Sequence, residues 1–363
     1  MSQLLTAPPS AEVQLAFLAK IQRLFTEGEF TATYKFALVI ALGDIAVECG
    51  RDDAAKQTIT YSEIAQKFIE LYWNHTLPYA RASAGALPMT LVQNHGTQAA
   101  VVSAIDQFKQ TTKIKNLTLA NRHPTYTQLQ QQIARTVSAK PAQYLQNLGG
   151  TTDPFIFERI RGGVELMPGV SYSLRQFQPL IQQLARQRWV QYIKANRLNA
   201  LALGSDDDLE AFLFTTSRQS LEVVRNGLKK LVNRKCFYCG ETVNQEGEVD
   251  HFIPFSSYPR DLMHNFVYAD AKCNRAKSDT LAAHRHLERW LEYSDRESDG
   301  LMEIGQTAGI AGDWATSIAV AKWSYRNAWG SGARAWIERR EFEMVNQKFL
   351  SAFSLGVQAE QST

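Results

Sequence analysis

The stretch Lys235–Asp279, KCFYCGETVNQEGEVDHFIPFSSYPRDLMHNFVYADAKCNRAKSD, holds most of the residues in this chain that can do chemistry. Three of the four cysteines (Cys236, Cys239 and Cys273) fall inside it, and four of the seven histidines lie between His251 and His286. Taken singly, each has a plain explanation. A lone histidine usually packs or faces solvent, and a Cys-x-x-Cys pair can be incidental. Their order is more informative. A Cys-x-x-Cys turn is followed by Val249-Asp250-His251, a strand-like run that stops at Pro254. Then come His264-Asn265-Phe266 and Cys273-Asn274-Arg275-Ala276-Lys277, where the spacing of Asn274 and Lys277 suits one helix face. A thioredoxin-like redox role for Cys236 and Cys239 fits poorly, because no βαβ pattern surrounds them.

On both sides of this stretch the pattern is helical. AEVQLAFLAKIQRLF, opened by Pro9 or Ser10 and closed by Gly28, repeats apolar residues at three and four. A second helix is expected from Thr31 or Thr33 to Cys49, a third over Ser62–Asn74 and a fourth over Thr97–Lys113, with Cys49 in the core. Gly149–Tyr172, rich in Gly, Pro and β-branched or aromatic residues, suits short strands. After residue 280, HRHLERWLEY and two longer apolar-periodic stretches, Trp314–Trp329 and Arg334–Phe353, predict more helices before a polar tail from Gln358. His264, His284 and His286 read as packing or surface residues.

The composition is that of an ordinary globular protein, with 45% hydrophobic and 21% charged residues. A net charge of +3 is too mild to identify a nucleic-acid partner, so local clustering has to carry that argument. Leu174–Leu198 contains Arg175, Arg186, Arg188, Lys194 and Arg197 with no acid, and Arg218–Lys235 adds Lys229 and Lys230. Two readings stand: solvated helix faces, or a surface that neutralises phosphates. The N-terminal residues lack a signal peptide's basic and apolar regions, and Asp44 interrupts the most apolar run, Phe36–Val47. With cysteines so sparse, a reducing cytoplasm and no membrane span are expected.

Over about 45 to 60 residues the central stretch resembles the HNH endonucleases, specifically members with a Cys-x-x-Cys knuckle before the catalytic hairpin. The matching residues are Cys236-Phe-Tyr-Cys239, Val249-Asp250-His251-Phe-Ile-Pro254, His264-Asn265-Phe and Cys273-Asn274-Arg-Ala-Lys277-Ser-Asp279. The resemblance implies a ββα-metal fold and hydrolysis of phosphodiester bonds with a divalent cation. It makes His251 the general base, Asp250 and Asn274 the ligands of Mg2+ or Mn2+, and Asn265 the residue that fixes the hairpin loop. Lys277 is then a candidate phosphate contact, and Arg275 a further nucleic-acid contact. Histidine suits the base role, because its usual pKa of about 6.5 leaves it largely neutral at cellular pH. Adjacent strand residues face opposite ways, so Asp250 and His251 need a bulge or a strand end to serve one site. Where the family often has histidine this chain has Asn274, which suits magnesium better than zinc. The second half of the knuckle reads Asp270-Ala-Lys-Cys273 in place of a second Cys-x-x-Cys. Two outcomes follow: a structural Zn2+ held by Cys236, Cys239, Cys273 and Asp270, or cysteines packed as small apolar side chains.

The fold expected is mainly α with a small α+β ββα-metal nuclease module. Its divisions are an N-terminal helical domain (1–115), a mixed region with basic helices (116–228), the nuclease module (229–295) and a C-terminal helical region (296–363). The expected partner is nucleic acid, DNA in preference to RNA, with the helical regions available for a protein partner or a second copy. A role in anti-phage or mobile-element defence follows by association alone. The rival from another class is a non-catalytic nucleic-acid-binding protein whose zinc knuckle is structural.

Overall fold

A computed structural model describes residues 7–79, 88–203 and 209–355, so the expected polar tail lies outside the described residues. The fold is mainly α with a small α+β module, and it divides into two compact units. One comprises Met1–Lys115 and Ala120–Thr215, the other Asn116–Leu119 and Thr216–Thr363.

The first unit is built around α2 (Tyr34–Cys49), which follows α1 (Ala11–Glu27). Every residue of α2 from Tyr34 to Val47 is buried. A helix apolar on all sides has no solvent face to present, so it becomes the centre and its neighbours wrap it. Against it pack α3 (Tyr61–Tyr72), α6 (Val170–Gln176) and α7 (Gln178–Ala195), while α4 (Ala100–Thr112) and α5 (Tyr126–Ala139) pack on α3 and on each other. The start of α3 is set by a capping box in which the Thr60 side chain accepts from Glu63 N while Glu63 accepts from Thr60 N. Asp44, in the middle of α2, accepts a hydrogen bond from Gln178 Nε2 at 3.2 Å, which offsets part of the cost of its burial. Trp189 of α7 is fully buried and donates its indole N–H to Gln93 Oε1 at 2.8 Å. Cys49 is exposed. It is the last residue of α2 and so escapes the core expected for it.

Strands do occur within the Gly- and Pro-rich segment: β2 (Phe157–Ile160) and β3 (Gly163–Leu166) form an antiparallel pair. The sequence pattern did not reveal their partner, β1 (Gln57–Thr60), which pairs with β3 across about a hundred residues of chain.

The second unit runs α8 (Arg218–Leu231), β4 (Glu248–His251), β5 (Phe266–Ala269), α9 (Ala271–Lys277), α10 (His284–Arg296), α11 (Ser298–Ala308) and α12 (Trp314–Gly330). A hairpin of β6 (Arg334–Glu338) and β7 (Glu341–Met344) then leads to α13 (Gln347–Leu355). Glycines let α8 and α11 approach closely: Gly227 lies against Ile304, and Gly300 against Leu231. Arg334–Phe353, expected to be one helix, is half hairpin. The reason is non-local: Trp336 exchanges main-chain hydrogen bonds with Leu281 and Ala283, each 2.7 Å, so a distant partner overrides local periodicity. His284 and His286 are buried as packing residues, and burial lowers His286 to about 4. No helix among the described residues is long and apolar enough to cross a membrane.

Gly163 tests the first unit's sheet. A Cβ there would sit 2.2 Å from Ile59 O and 2.9 Å from Thr60 Cα, both main-chain atoms of the paired strand. Gly163→Ala should therefore cost about 1–3 kcal/mol, read as a lower urea midpoint. An unchanged midpoint would mean that the β1–β3 ladder yields freely.

Candidate functional site

The knuckle begins where α8 ends. Cys236 N donates to Glu241 O and Gly240 N to Cys236 O, both at 2.9 Å, closing a tight turn. Gly240 occupies the left-handed region at φ +77, where a side chain would be strained. Phe237 N donates to Tyr268 O at 2.8 Å, attaching the turn to β5, and Arg289 of α10 holds the carbonyls of Phe237 and Tyr238 at 2.7 and 2.9 Å. The sulfurs of Cys236, Cys239 and Cys273 lie within 4.8 Å of one another, clustered like a metal-binding knuckle. A hydrogen bond from the Cys273 thiol draws Cys236 down to about 5, while the same bond and burial push Cys273 up. Three thiols this close share one easily formed negative charge, and a cation would remove the remaining protons. Zinc, which favours thiolate ligands, fits this set.

Asp270, expected as a fourth ligand, is not in that group. Its carboxylate is the N-cap of α9, accepting from Lys272 N at 2.8 Å, while its own N–H donates to Cys236 Sγ at 3.2 Å. An aspartate directly before a helix is drawn to the unpaired first-turn N–H groups, and that preference prevails here.

β4 and β5 pair in regular antiparallel register, Asp250 opposite Val267 and His251 opposite Phe266, with α9 following β5. This is a ββα unit. His251 is the last residue of β4, so it meets the strand-end condition without a bulge. Its Nε2 stands 2.6 Å from Asp261 Oδ1, and its ring packs on Phe266 and Phe255 at 4.7 and 5.3 Å. Burial pushes the Asp261 carboxyl up, but His251 and the hydroxyl and N–H of Thr216 outweigh it and hold Asp261 below its ordinary value. An ionised Asp261 can only accept, so Nε2 carries a proton, and in the neutral imidazole the lone pair is then on Nδ1.

The chain between the strands is closed by Asn265. Its Nδ2 donates to Ile253 O at 2.9 Å and its Oδ1 accepts from Ile253 N at 2.7 Å, while Phe252 N donates to Asn265 O at 2.7 Å. These three bonds fix the backbone directly after His251.

Asp250 is buried. Tyr238 donates to its Oδ2 at 2.5 Å, and Lys277 Nζ lies 3.1 Å from the same oxygen. Lys277, expected at a phosphate, is fully buried; its ammonium also donates to His251 O at 2.8 Å. Burial lowers Lys277, and Asp250 offsets only part of that. Burial, then Asp250, raise Tyr238 far above its usual range, so it stays a proton donor. On α9, Asn274 donates Nδ2 to Glu248 Oε2 at 2.8 Å, which identifies its other atom as an oxygen free to accept. Glu248 and Asp250 are two apart on one strand and therefore share a face. Glu248, Asp250 and Asn274 carry hard oxygen donors of the kind magnesium prefers, and both Asp250 oxygens also meet the Lys277 ammonium, at 3.1 and 3.4 Å.

Two members of this arrangement were not singled out from sequence. Glu248 was recoverable from its spacing with Asp250. Asp261 was not, because no periodicity in the loop marks it.

The basic residues divide. Arg186 is buried, with its guanidinium 4.8 Å over the Phe214 ring, so it does not join a solvent face. Its place on α7 turns it inward, while Arg188, Lys194 and Arg197 are exposed. In the second unit Lys230 and Arg275 are exposed and Lys229 is half-buried.

The family model for HNH endonuclease matches residues 236–283, the segment just described. A second model, for a domain of unknown function (DUF8808), matches residues 14–211, more than half of the chain. No curated protein matches the chain.

Protein purified without chelator should carry about one zinc per chain by elemental analysis, and Cys273→Ser should lose it and melt at lower temperature. Metal-free protein with an unshifted melting temperature in Cys273→Ser would favour the packed-cysteine alternative.

Proposed function

This chain belongs to the DUF8808 family, and from the geometry of its HNH endonuclease domain we propose that it hydrolyses phosphodiester bonds in DNA, with His251 as general base. The observation that carries this reading is the Asp261–His251 pair at the end of β4, beside the buried Asp250. With Nε2–H held by Asp261, the Nδ1 lone pair takes a proton from water as the water attacks phosphorus. The imidazolium that forms is stabilised by the same carboxylate. Asn265 does not react; it holds the backbone on which His251 stands.

Asp250 and Asn274, with Glu248 beside them, would hold a divalent cation. That cation would neutralise charge on the phosphate and the departing oxygen. Lys277 and Tyr238 hold the Asp250 carboxylate in place. Arg275, Lys230 and Lys229 are the proposed phosphate-neutralising residues of this unit, and Arg188, Lys194 and Arg197 those of the other. DNA preference and a defence role rest on the HNH resemblance.

The test is cleavage of plasmid, linear and single-stranded substrates with magnesium, manganese or EDTA. His251→Ala should lower the rate by roughly 10²–10⁴-fold with folding intact. Asp261→Asn should lower it at least about tenfold, as when a triad aspartate is lost. Cleavage undiminished in EDTA, or in His251→Ala, would refute the mechanism. Binding without cleavage under every condition would leave the non-catalytic alternative.

A further inference from the structure

The first unit contains a cavity of about 730 Å³ that the nuclease chemistry does not use. It is lined at the starts of α2 and α4, by Tyr34 and Lys35 on one and Ala100 on the other, and at the end of α5, by Arg135 and Lys140. All of these residues belong to the matched DUF8808 segment.

Lys35 is the unusual member. It is only 8% exposed, yet among the described residues it forms no ion pair or hydrogen bond through its side chain. Its Nζ lies 5.5 Å from the centroid of the Phe30 ring. The stem is buried while the ammonium opens to the cavity, where it stands as an unpaired cation that an anion entering from solvent would meet. Burial lowers the Lys35 ammonium below its ordinary value, and Glu29 counters only part of this.

The backbone adds positive potential of its own. Neither α2 nor α4 has an acid in its first turn or a side-chain cap from its N-cap residue, Thr33 or Ala99. The Tyr34 hydroxyl accepts from Val101 N at 3.4 Å, so a neutral phenol stands where helices often place a carboxylate. Two helix N-termini therefore bring partial positive charge to the cavity. Among the side chains lining it, three are cationic (Lys35, Arg135, Lys140) and one is anionic (Glu29). Arg135 and Lys140 are exposed and form no ion pair among the described residues.

We propose that this cavity binds the phosphate of a small organic phosphomonoester of mononucleotide size, with Lys35 as the inner phosphate ligand and Arg135 and Lys140 at the rim. A doubly charged phosphate matches the excess positive charge better than a single carboxylate does. The volume lies in the range of roughly 300–1,000 Å³ usual for small-molecule sites and exceeds what inorganic phosphate needs. Tyr34, Tyr144 and Asn94 supply aromatic surface and an amide for the organic part.

The experiment is titration calorimetry and thermal melting of the full chain with AMP, UMP, inorganic phosphate, adenosine and a 5′-phosphorylated oligonucleotide. At least one nucleotide should bind and raise the melting temperature, while adenosine should do neither. Lys35→Met keeps the apolar stem and removes the cation. It should weaken nucleotide binding at least tenfold while leaving the ligand-free protein as stable as wild type or more so, which a purely structural lysine would not do. Arg135→Gln with Lys140→Gln, both on the exposed rim, should weaken binding several-fold with folding unaffected, and that variant decides the matter if Lys35→Met fails to fold. The proposal is overturned if no phosphate compound binds, if binding survives Lys35→Met unchanged, or if the oligonucleotide binds at this site and the mononucleotides do not.

Discussion

The contact between Lys277 and Asp250 organises the nuclease unit. An ammonium and a carboxylate are both withdrawn from water, and neither could be tolerated there alone, since breaking a buried pair costs about 3–5 kcal/mol. Each charge therefore needs further partners, and these come from different parts of the chain. Tyr238 arrives from the Cys-x-x-Cys turn, the His251 carbonyl from the end of β4 and Lys277 from the last turn of α9. The knuckle, the strand and the helix are thereby held to one carboxylate. The thiol cluster serves the same end from outside, joining the turn that carries Tyr238 to the helix that carries Lys277 through Cys273.

Because that pair fixes Asp250, the neighbouring His251 can be aimed independently. Two carboxylates with different surroundings take different parts. Asp250 is buried against a cation and a phenol, whereas Asp261 is held by an imidazole and by Thr216. Asn265 keeps the backbone between them from relaxing, through paired bonds to Ile253. For His251 as the proposed base, the arrangement matches a general rule: the side chain stands on a rigid element, and a hydrogen-bond partner orients it.

The first unit follows a different logic. Its centre is an apolar helix whose surroundings leave little room for charge, yet Asp44 and Lys35 are both buried on it. Asp44 meets an amide from α7. Lys35 meets no acceptor among the described residues and lines the cavity at the helix start.

Local signals sufficed for much of this. Ser10 and Gly28 marked helix ends because capping depends on a few adjacent residues. The order of Cys236, Asp250, His251, Asn265 and Asn274 carried the resemblance to the HNH endonucleases, and that resemblance implied the ββα unit. What the sequence could not supply was whatever depends on a distant partner. β1 becomes a strand only because β3 lies beside it, and Trp336 leaves the helical pattern because residues 281–283 offer it hydrogen bonds. Lys277 and Arg186 look like surface cations in the sequence and are buried in the fold, since burial is decided by what packs against a helix face. Asp261 becomes the partner of His251 only when the loop folds back, and Asp270 caps a helix where its carboxylate was expected as a fourth zinc ligand. Residue types and their spacing determined which chemistry the chain can carry; packing decided which of those residues stand together to perform it, because distances across a fold are set by contacts that the linear order does not contain.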